Sequence, residues 1–338
     1  MEQKLVVGVV GLKMGRGHLE AVLKYEGAEV GAICDINPDK LNEVGDQYNI
    51  PAEKRFTDYM DLVNNPEINV VLIVTPDQLH REMSEKFLAA GKHVMCEKPL
   101  ALTHEDLVAI NAAAKKANTV FMVGQICRFT PSFVAVKKLI EDGVIGDLYF
   151  VESEYAHDYA KFLWDWRQDP LRHGVIGGGC HAIDLLRWYA GDPEEVFAYG
   201  THKLLQHVKP DDTVVSVIKF PNNVIGKVMV SISCKRPYTM RTVIYGTKGT
   251  IIVDNSSKHF TLYTLIDGDI SVNPEPQIIP CELNNHNCYA EFCALVEAIK
   301  DPSKLMMTAD QGARTVAVGL AIVESSKTGK PVQPNYNF

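Results

Sequence analysis

The sequence contains no apolar run approaching the roughly 18 residues of a membrane-spanning helix, no C-x-x-C pair, no internal repeat and no low-complexity stretch. Each absence closes off a class of protein. The eight cysteines, Cys34, Cys96, Cys127, Cys180, Cys234, Cys281, Cys288 and Cys293, are scattered, a pattern of reduced thiols and not of a disulfide framework or a zinc site. Excess positive charge is also missing. The formal net charge is −8, whereas nucleic-acid binding rests on clustered Lys and Arg neutralising phosphates. Met1 to Leu5 is charged and runs straight into an apolar segment with no cleavage-site pattern, so no export signal is read and a cytoplasmic location is expected. Neither a nucleic-acid nor a membrane partner is expected.

What is present is an ordinary globular composition, 46% hydrophobic and 22% charged over 338 residues, enough for about two domains with their own cores. The first third alternates apolar β-branched runs with helical stretches. Strands are read at Leu5 to Val10, Val30 to Cys34, Val70 to Val74, His93 to Cys96 and Val120 to Val123. Helices are read at His18 to Tyr25, Lys40 to Tyr48, Tyr59 to Asn64, Gln78 to Ala90 and His104 to Ala117, the last opened by Thr103 as cap. Alternation of this kind implies crossovers and a parallel sheet covered on both faces. After about Gly124 the pattern changes to long alternating stretches from Leu148 to Val253, interrupted by a helix at His181 to Tyr189 and followed by helices at Tyr289 to Ile299 and Asp310 to Ser326. The expected architecture is α/β: a doubly wound Rossmann domain over residues 1–123, then an α/β domain over 124–338 with a large, mostly antiparallel, open-faced sheet.

The first strand runs into Gly11-Leu12-Lys13-Met14-Gly15-Arg16-Gly17-His18. A turn here can aim backbone N–H groups and a helix N-terminus at a pyrophosphate. The spacing is not G-x-G-x-x-G, because Lys13 stands where the second glycine would be. Asp35 ends the second strand 24 residues after Gly11, near the interval of about 20 at which an acid takes the ribose hydroxyls of NAD. A carboxylate there repels a 2′-phosphate, which favours NAD over NADP. Thr75-Pro76 closes the next strand where a cofactor would lie, though by itself it reads as a turn.

Lys98, in Glu97-Lys98-Pro99, follows the strand ending at Cys96. With the glycine turn, Thr75-Pro76-Asp77-Gln78-Leu79-His80, Arg128-Phe129-x-Pro131, Asp142-Gly143-x-Ile145-Gly146 and Thr308-Ala309-x-x-Gly312-Ala313, the chain resembles the Gfo/Idh/MocA family, named after glucose–fructose oxidoreductase and inositol dehydrogenase. The resemblance covers nearly the full length. It implies a Rossmann domain with a second α/β domain whose open sheet often mediates oligomers, here a homodimer or homotetramer. It also implies a cofactor surface of Gly11, Lys13, Met14, Gly15, Asp35, Thr75, Pro76, His80, Glu97 and Lys98, with no metal. Lys98 would bind the reacting hydroxyl and help move its proton, a role suited to a partly desolvated amine.

The family's D-x-x-x-H-x-x-D pattern is met by His181 and Asp184, but Gly177 replaces the first aspartate. The resemblance therefore gives catalysis to Lys98 and His181, and a histidine titrating near 6.5 can act unaided. Gly177 is expected to leave room for a larger substrate such as a glycoside. Tyr155, His157, Lys161, Trp164, Trp166 and Arg167 offer rings beside hydrogen-bonding groups, which match a sugar's mixed faces; equally, they read as a loop packed on the second domain. Arg128 reads either as a substrate contact or as a structural ion pair, and Asp184 as a substrate contact. The expected activity is hydride transfer between NAD and a hydroxyl-bearing carbon of a sugar, cyclitol or glycoside. Two alternatives stand beside it: glycoside cleavage through transient 3-oxidation on tightly bound NAD, and a non-catalytic NAD(H) sensor.

Overall fold

The computed structural model describes residues 4–161 and 165–338. The N-terminal part follows the alternation read from the sequence: β1 (Leu5–Val10), α1 (Gly15–Lys24), β2 (Ala28–Cys34), α2 (Pro38–Gln47), β3 (Arg55–Phe56), α3 (Tyr59–Asn64), β4 (Val70–Ile73), α4 (His80–Ala89), β5 (His93–Glu97), α5 (His104–Lys116) and β6 (Phe121–Gly124). The six strands form one parallel sheet in the order β3-β2-β1-β4-β5-β6, the doubly wound arrangement whose topology reverses between β1 and β4. All four residues of β4 are buried, as a strand covered by helices on both faces requires. Thr103 caps α5 by accepting the Asp106 N–H, as its position predicts. Helix α4 begins later than the apolar pattern predicts, because Asp77–Leu79 forms a separate 3-10 turn after Pro76. The two-residue β3 was not anticipated and is too short to carry a period.

The rest of the chain gives α6 (Pro131–Glu141), β7 (Leu148–Ala156), α7 (Gly174–Gly177), α8 (Cys180–Ala190), β8 (Glu195–Thr201), β9 (Thr213–Lys219), β10 (Ile225–Ser231), β11 (Thr239–Gly246), β12 (Gly249–Asp254), β13 (His259–Thr264), β14 (Gln277–Pro280), α9 (Cys288–Lys300) and α10 (Ala309–Thr328). Eight strands form a second sheet in the order β14-β13-β12-β11-β7-β10-β9-β8. It is antiparallel except for β10 on β7. Side chains of β9 alternate between buried and exposed, so one face is packed while the other presents Val215, Val217 and, from β8, Tyr199. The sequence reading missed β13 and β14. Strand β14 ends in Pro280 and lies at the sheet's edge, where a missing N–H costs no ladder bond.

The compact units divide differently from 1–123 and 124–338. The first comprises residues Met1–Ile126, Asn287–Ala313 and Asn337–Phe338, the second Cys127–His286 and Arg314–Tyr336. The reason is apolar. Phe292, Leu295 and Val296 of α9 join the core built from Leu19, Val22 and the β1 and β4 side chains, and Tyr25 meets the Phe292 ring edge-on at 5.6 Å. No described helix is long and apolar enough to cross a membrane.

Candidate active site

At the carboxyl edge of the first sheet, Gly11 leaves β1 with φ +89°, and a Cβ there would stand 2.4 Å from the Val74 carbonyl oxygen. Only glycine lets the two strand ends close, with Gly11 N–H donating to Cys34 O at 2.8 Å and Val74 N–H to Val10 O at 2.8 Å. Helix α1 then opens at Gly15 with no side-chain cap on Met14 and no acid in its first turn. Its N-terminal amides therefore form a site of positive potential suited to a phosphate. Asp35 directly follows β2, accepting Leu12 N–H at 2.8 Å through Oδ2 and Asn37 N–H through Oδ1. This ties the acid to the glycine turn itself. A strained glycine, an uncapped helix start and an adjacent acid fit a dinucleotide. Lys13 and Met14 are exposed on the turn, and Thr75 and Pro76 follow β4 on the same edge.

Lys98 follows β5 directly, and its N–H donates to Glu97 Oε2 at 3.0 Å. His80 corrects an expectation of cofactor contact. It is fully buried, with Nδ1 2.9 Å from Pro99 O and Nε2 3.1 Å from Thr75 O, so it braces the two loops that carry Thr75 and Lys98. Behind Lys98, Glu97 Oε1 meets His18 Nε2 at 2.8 Å. Burial alone would raise the Glu97 carboxyl, but the His18 hydrogen bond and the His18 and Lys98 charges outweigh it and hold the group at about 2.

In the second unit, His181 lies in the first turn of α8 with Nδ1 3.4 Å from Cys127 Sγ, and its ring stacks on Tyr155 at 6.1 Å. The Tyr155 hydroxyl meets His157 Nδ1 at 3.2 Å and the Tyr159 hydroxyl at 2.8 Å. Tyr238 closes on His157 with ring centroids 4.8 Å apart. Burial pushes the Tyr155 phenol well above its ordinary range, keeping it a donor. The structure brings together Tyr155, His157 and His181, which the sequence singles out, with Tyr159 and Tyr238, which it does not. The i, i+2, i+4 spacing of Tyr155, His157 and Tyr159 was the available signal for Tyr159.

Arg128 and Asp184 form a buried bidentate pair, Nε to Oδ2 at 2.8 Å and Nη2 to Oδ1 at 2.9 Å. Of the two readings of Arg128, this is the ion pair. Asp184 is fully buried and also accepts the Thr315 hydroxyl at 2.9 Å, so the expected substrate contact is corrected to an internal one. The room expected at Gly177 is also taken: a Cβ there would lie 2.4 Å from Arg172 Nη1. The Arg172 guanidinium thus fills the space beside Gly177. Trp166 packs under the Arg167 and Arg172 guanidinium groups at 4.4 and 4.8 Å; Trp164 lies outside the described residues. Among the described residues, the only grouping with metal-ligand spacing is His18, Glu97 and Glu291.

A sheet of this strand order with a glycine turn at its switch point defines a dinucleotide-binding type of domain, here joined to a sheet-based second unit. Comparison with known proteins gives the family. Residues 5–125 match the model of an oxidoreductase family with an NAD-binding Rossmann fold, and residues 133–252 match the Gfo/Idh/MocA C-terminal domain. The chain belongs to the Gfo/Idh/MocA oxidoreductase family. It is 30% identical to an inositol 2-dehydrogenase/D-chiro-inositol 3-dehydrogenase of Lactiplantibacillus plantarum, over 72% of this chain and 70% of that one. It is 29% identical to a myo-inositol 2-dehydrogenase of Thermotoga maritima, over 78% and 79%. Among solved structures, a levoglucosan dehydrogenase in complex with NADH superposes with a TM-score of 0.89 at 26% identity, covering 98% of this chain and all of that one.

Proposed function

We propose that the protein is an NAD-dependent dehydrogenase acting on a secondary hydroxyl of a cyclitol, sugar or glycoside. The observation that carries the reading is Lys98, placed immediately after β5 on the edge that also carries Gly11, Asp35 and Thr75. Bound NAD would supply the hydride acceptor. The chain's part is to hold and deprotonate the alcohol. Gly11 and the α1 N-terminus take the pyrophosphate, and Asp35 takes the ribose hydroxyls while disfavouring a 2′-phosphate. Lys98 accepts the hydroxyl proton, and His181 assists with its imidazole. The Tyr155, His157, Tyr159 and Tyr238 group offers ring faces and hydroxyls suited to a polyol. Arg128 and Asp184 act as positioning residues by anchoring the helix that carries His181. The names of the similar proteins, inositol and levoglucosan dehydrogenases, support the substrate class.

The test is turnover of NAD against a panel of cyclitols, sugars and glycosides, followed by the absorbance of the reduced cofactor. Lys98→Met should lower kcat by about 10²–10⁴-fold with nucleotide affinity retained. Turnover surviving in that variant, or glycoside cleavage without net reduction, overturns the reading. The free thiols support a reducing, cytoplasmic location. The exposed Tyr199, Val217 and Ile225 on the open sheet support a homo-oligomer formed through that face, checked by light scattering of the Val217→Lys variant.

A further inference from the structure

Glu291 has no place in the chemistry above, yet it is the most tightly enclosed carboxylate near Lys98. It is fully buried, and neither of its oxygens has a hydrogen-bond partner among the described residues. It comes from α9, whose apolar face is part of the Rossmann core. Its Oε2 lies 3.9 Å from His18 Nδ1, a buried nitrogen that also lacks a partner. The other nitrogen of that ring holds Glu97 at 2.8 Å, and Glu97 in turn holds the Lys98 N–H. Four ionisable residues therefore follow one another from the core to the sheet edge: Glu291, His18, Glu97 and Lys98. A metal ion is a poor fit. The 2.8 Å His18–Glu97 contact is a hydrogen bond, leaving one imidazole nitrogen and one carboxylate for a cation, short of the four ligands of a structural zinc site.

An isolated carboxylate in an apolar core is expensive, and such a group keeps its proton instead. We propose that Glu291 is a positioning residue that stores a proton beside His18 and, through His18 and Glu97, sets the charge against which Lys98 exchanges its own proton. This deepens the dehydrogenase reading and rests on it for the role of Lys98. The groups facing Glu291 are His18 from α1, Glu97 and Lys98 from the end of β5, and the Cys288 thiol on its own helix. From β6 comes Gly124, where a Cβ would lie 3.6 Å from Oε1. Burial foremost pushes Glu291 up to about 8, with the Glu97 charge adding and the His18 and Lys98 charges opposing. Burial would lower His18, but the Glu97 hydrogen bond and the two carboxylate charges raise it. The cluster therefore carries one negative charge fewer below pH 8 than above it, and Lys98 holds its proton more firmly once Glu291 ionises.

The experiment has two arms on the full-length protein. With carbon-13 at glutamate Cδ, one carboxyl resonance should titrate near pH 8 and vanish in Glu291→Gln. In that variant the rise of kcat/KM for alcohol oxidation should move to lower pH by on the order of 1 pH unit, since the anion that restrained Lys98 is gone. No carboxyl titrating above the ordinary glutamate range of about 3–5 overturns the proposal even should the variant fail to fold. A superimposable rate profile overturns it as well. The carboxyl titration needs neither cofactor nor substrate, so it judges the stored proton separately. Turnover surviving in Lys98→Met would instead remove the dehydrogenase reading.

Discussion

Replacing Asp184 with alanine is the sharpest perturbation of the second unit that the structure offers. The carboxylate holds Arg128 through two bonds of 2.8 and 2.9 Å and accepts the Thr315 hydroxyl at 2.9 Å, with Arg187 Nη1 at 3.8 Å. Its removal leaves a guanidinium that is 7% exposed without a counter-charge. Breaking a buried pair on one side costs about 3–5 kcal/mol. For a unit of this size each kcal/mol lowers the unfolding midpoint by roughly 2–4 °C, so a drop of about 6–20 °C is expected by calorimetry. Removing both charges should cost far less, because no orphaned ion remains; Arg187 keeps Asp192, 2.7 Å from its Nε. Arg128→Leu with Asp184→Leu should therefore lie well above the sum of the single variants, a coupling that a double-mutant cycle reads directly. His181 stands one turn before Asp184 on α8, so kcat should fall in the alanine variant and recover in part in the double variant. A midpoint change below about 2 °C in Asp184→Ala, or strictly additive single effects, refutes the anchoring role.

Cofactor choice should follow Asp35: Asp35→Ser with Ile36→Arg, the latter position being 89% exposed, is expected to move the NAD/NADP ratio of kcat/KM by at least about tenfold toward NADP, as removing one charge repulsion and adding one attraction implies. Gly11→Ala, whose Cβ would meet the Val74 carbonyl at 2.4 Å in a φ +89° backbone, should cost about 1–3 kcal/mol and weaken nucleotide binding measured by calorimetric titration. Stability should also depend on pH through Glu291. Burial holds its carboxyl at about 8 in the folded protein, above the ordinary 4.5, so its favourable contribution is complete below 4.5 and is lost as pH rises through 8. Glu291→Gln should match the wild-type midpoint near pH 5 and exceed it at pH 9, and the reverse order refutes the assignment.

Most of the first unit was legible because its signals are local. Runs such as Val70 to Val74 read as buried strands, Thr103 announces a cap, and Gly11 with Asp35 marks a tight turn tied to an acid. The alternation of Val214 to Phe220 likewise gave one packed and one open face. What escaped depends on distant residues. Nothing in Tyr289 to Ile299 distinguishes it from a helix of the second unit until Phe292 is seen against Tyr25. Within that stretch nothing in the sequence singles out Glu291. Gly177 reads as open space until Arg172 is seen to fill it, and Asp184 as a ligand until Arg128 closes on it.

The return of α9 to the first unit has a consequence for biosynthesis. A ribosome that has released only residues up to Ile126 has made every strand of the nucleotide-binding sheet, but not the segment that covers Leu19 and Val22. Those side chains stay wet through the synthesis of the whole intervening unit, and the N-terminal portion can reach its final stability only after residue 300 emerges. Fragments ending near the apparent boundary would consequently be aggregation-prone, and fusions or cuts intended to separate the two units should carry residues 287–313 with the front of the chain.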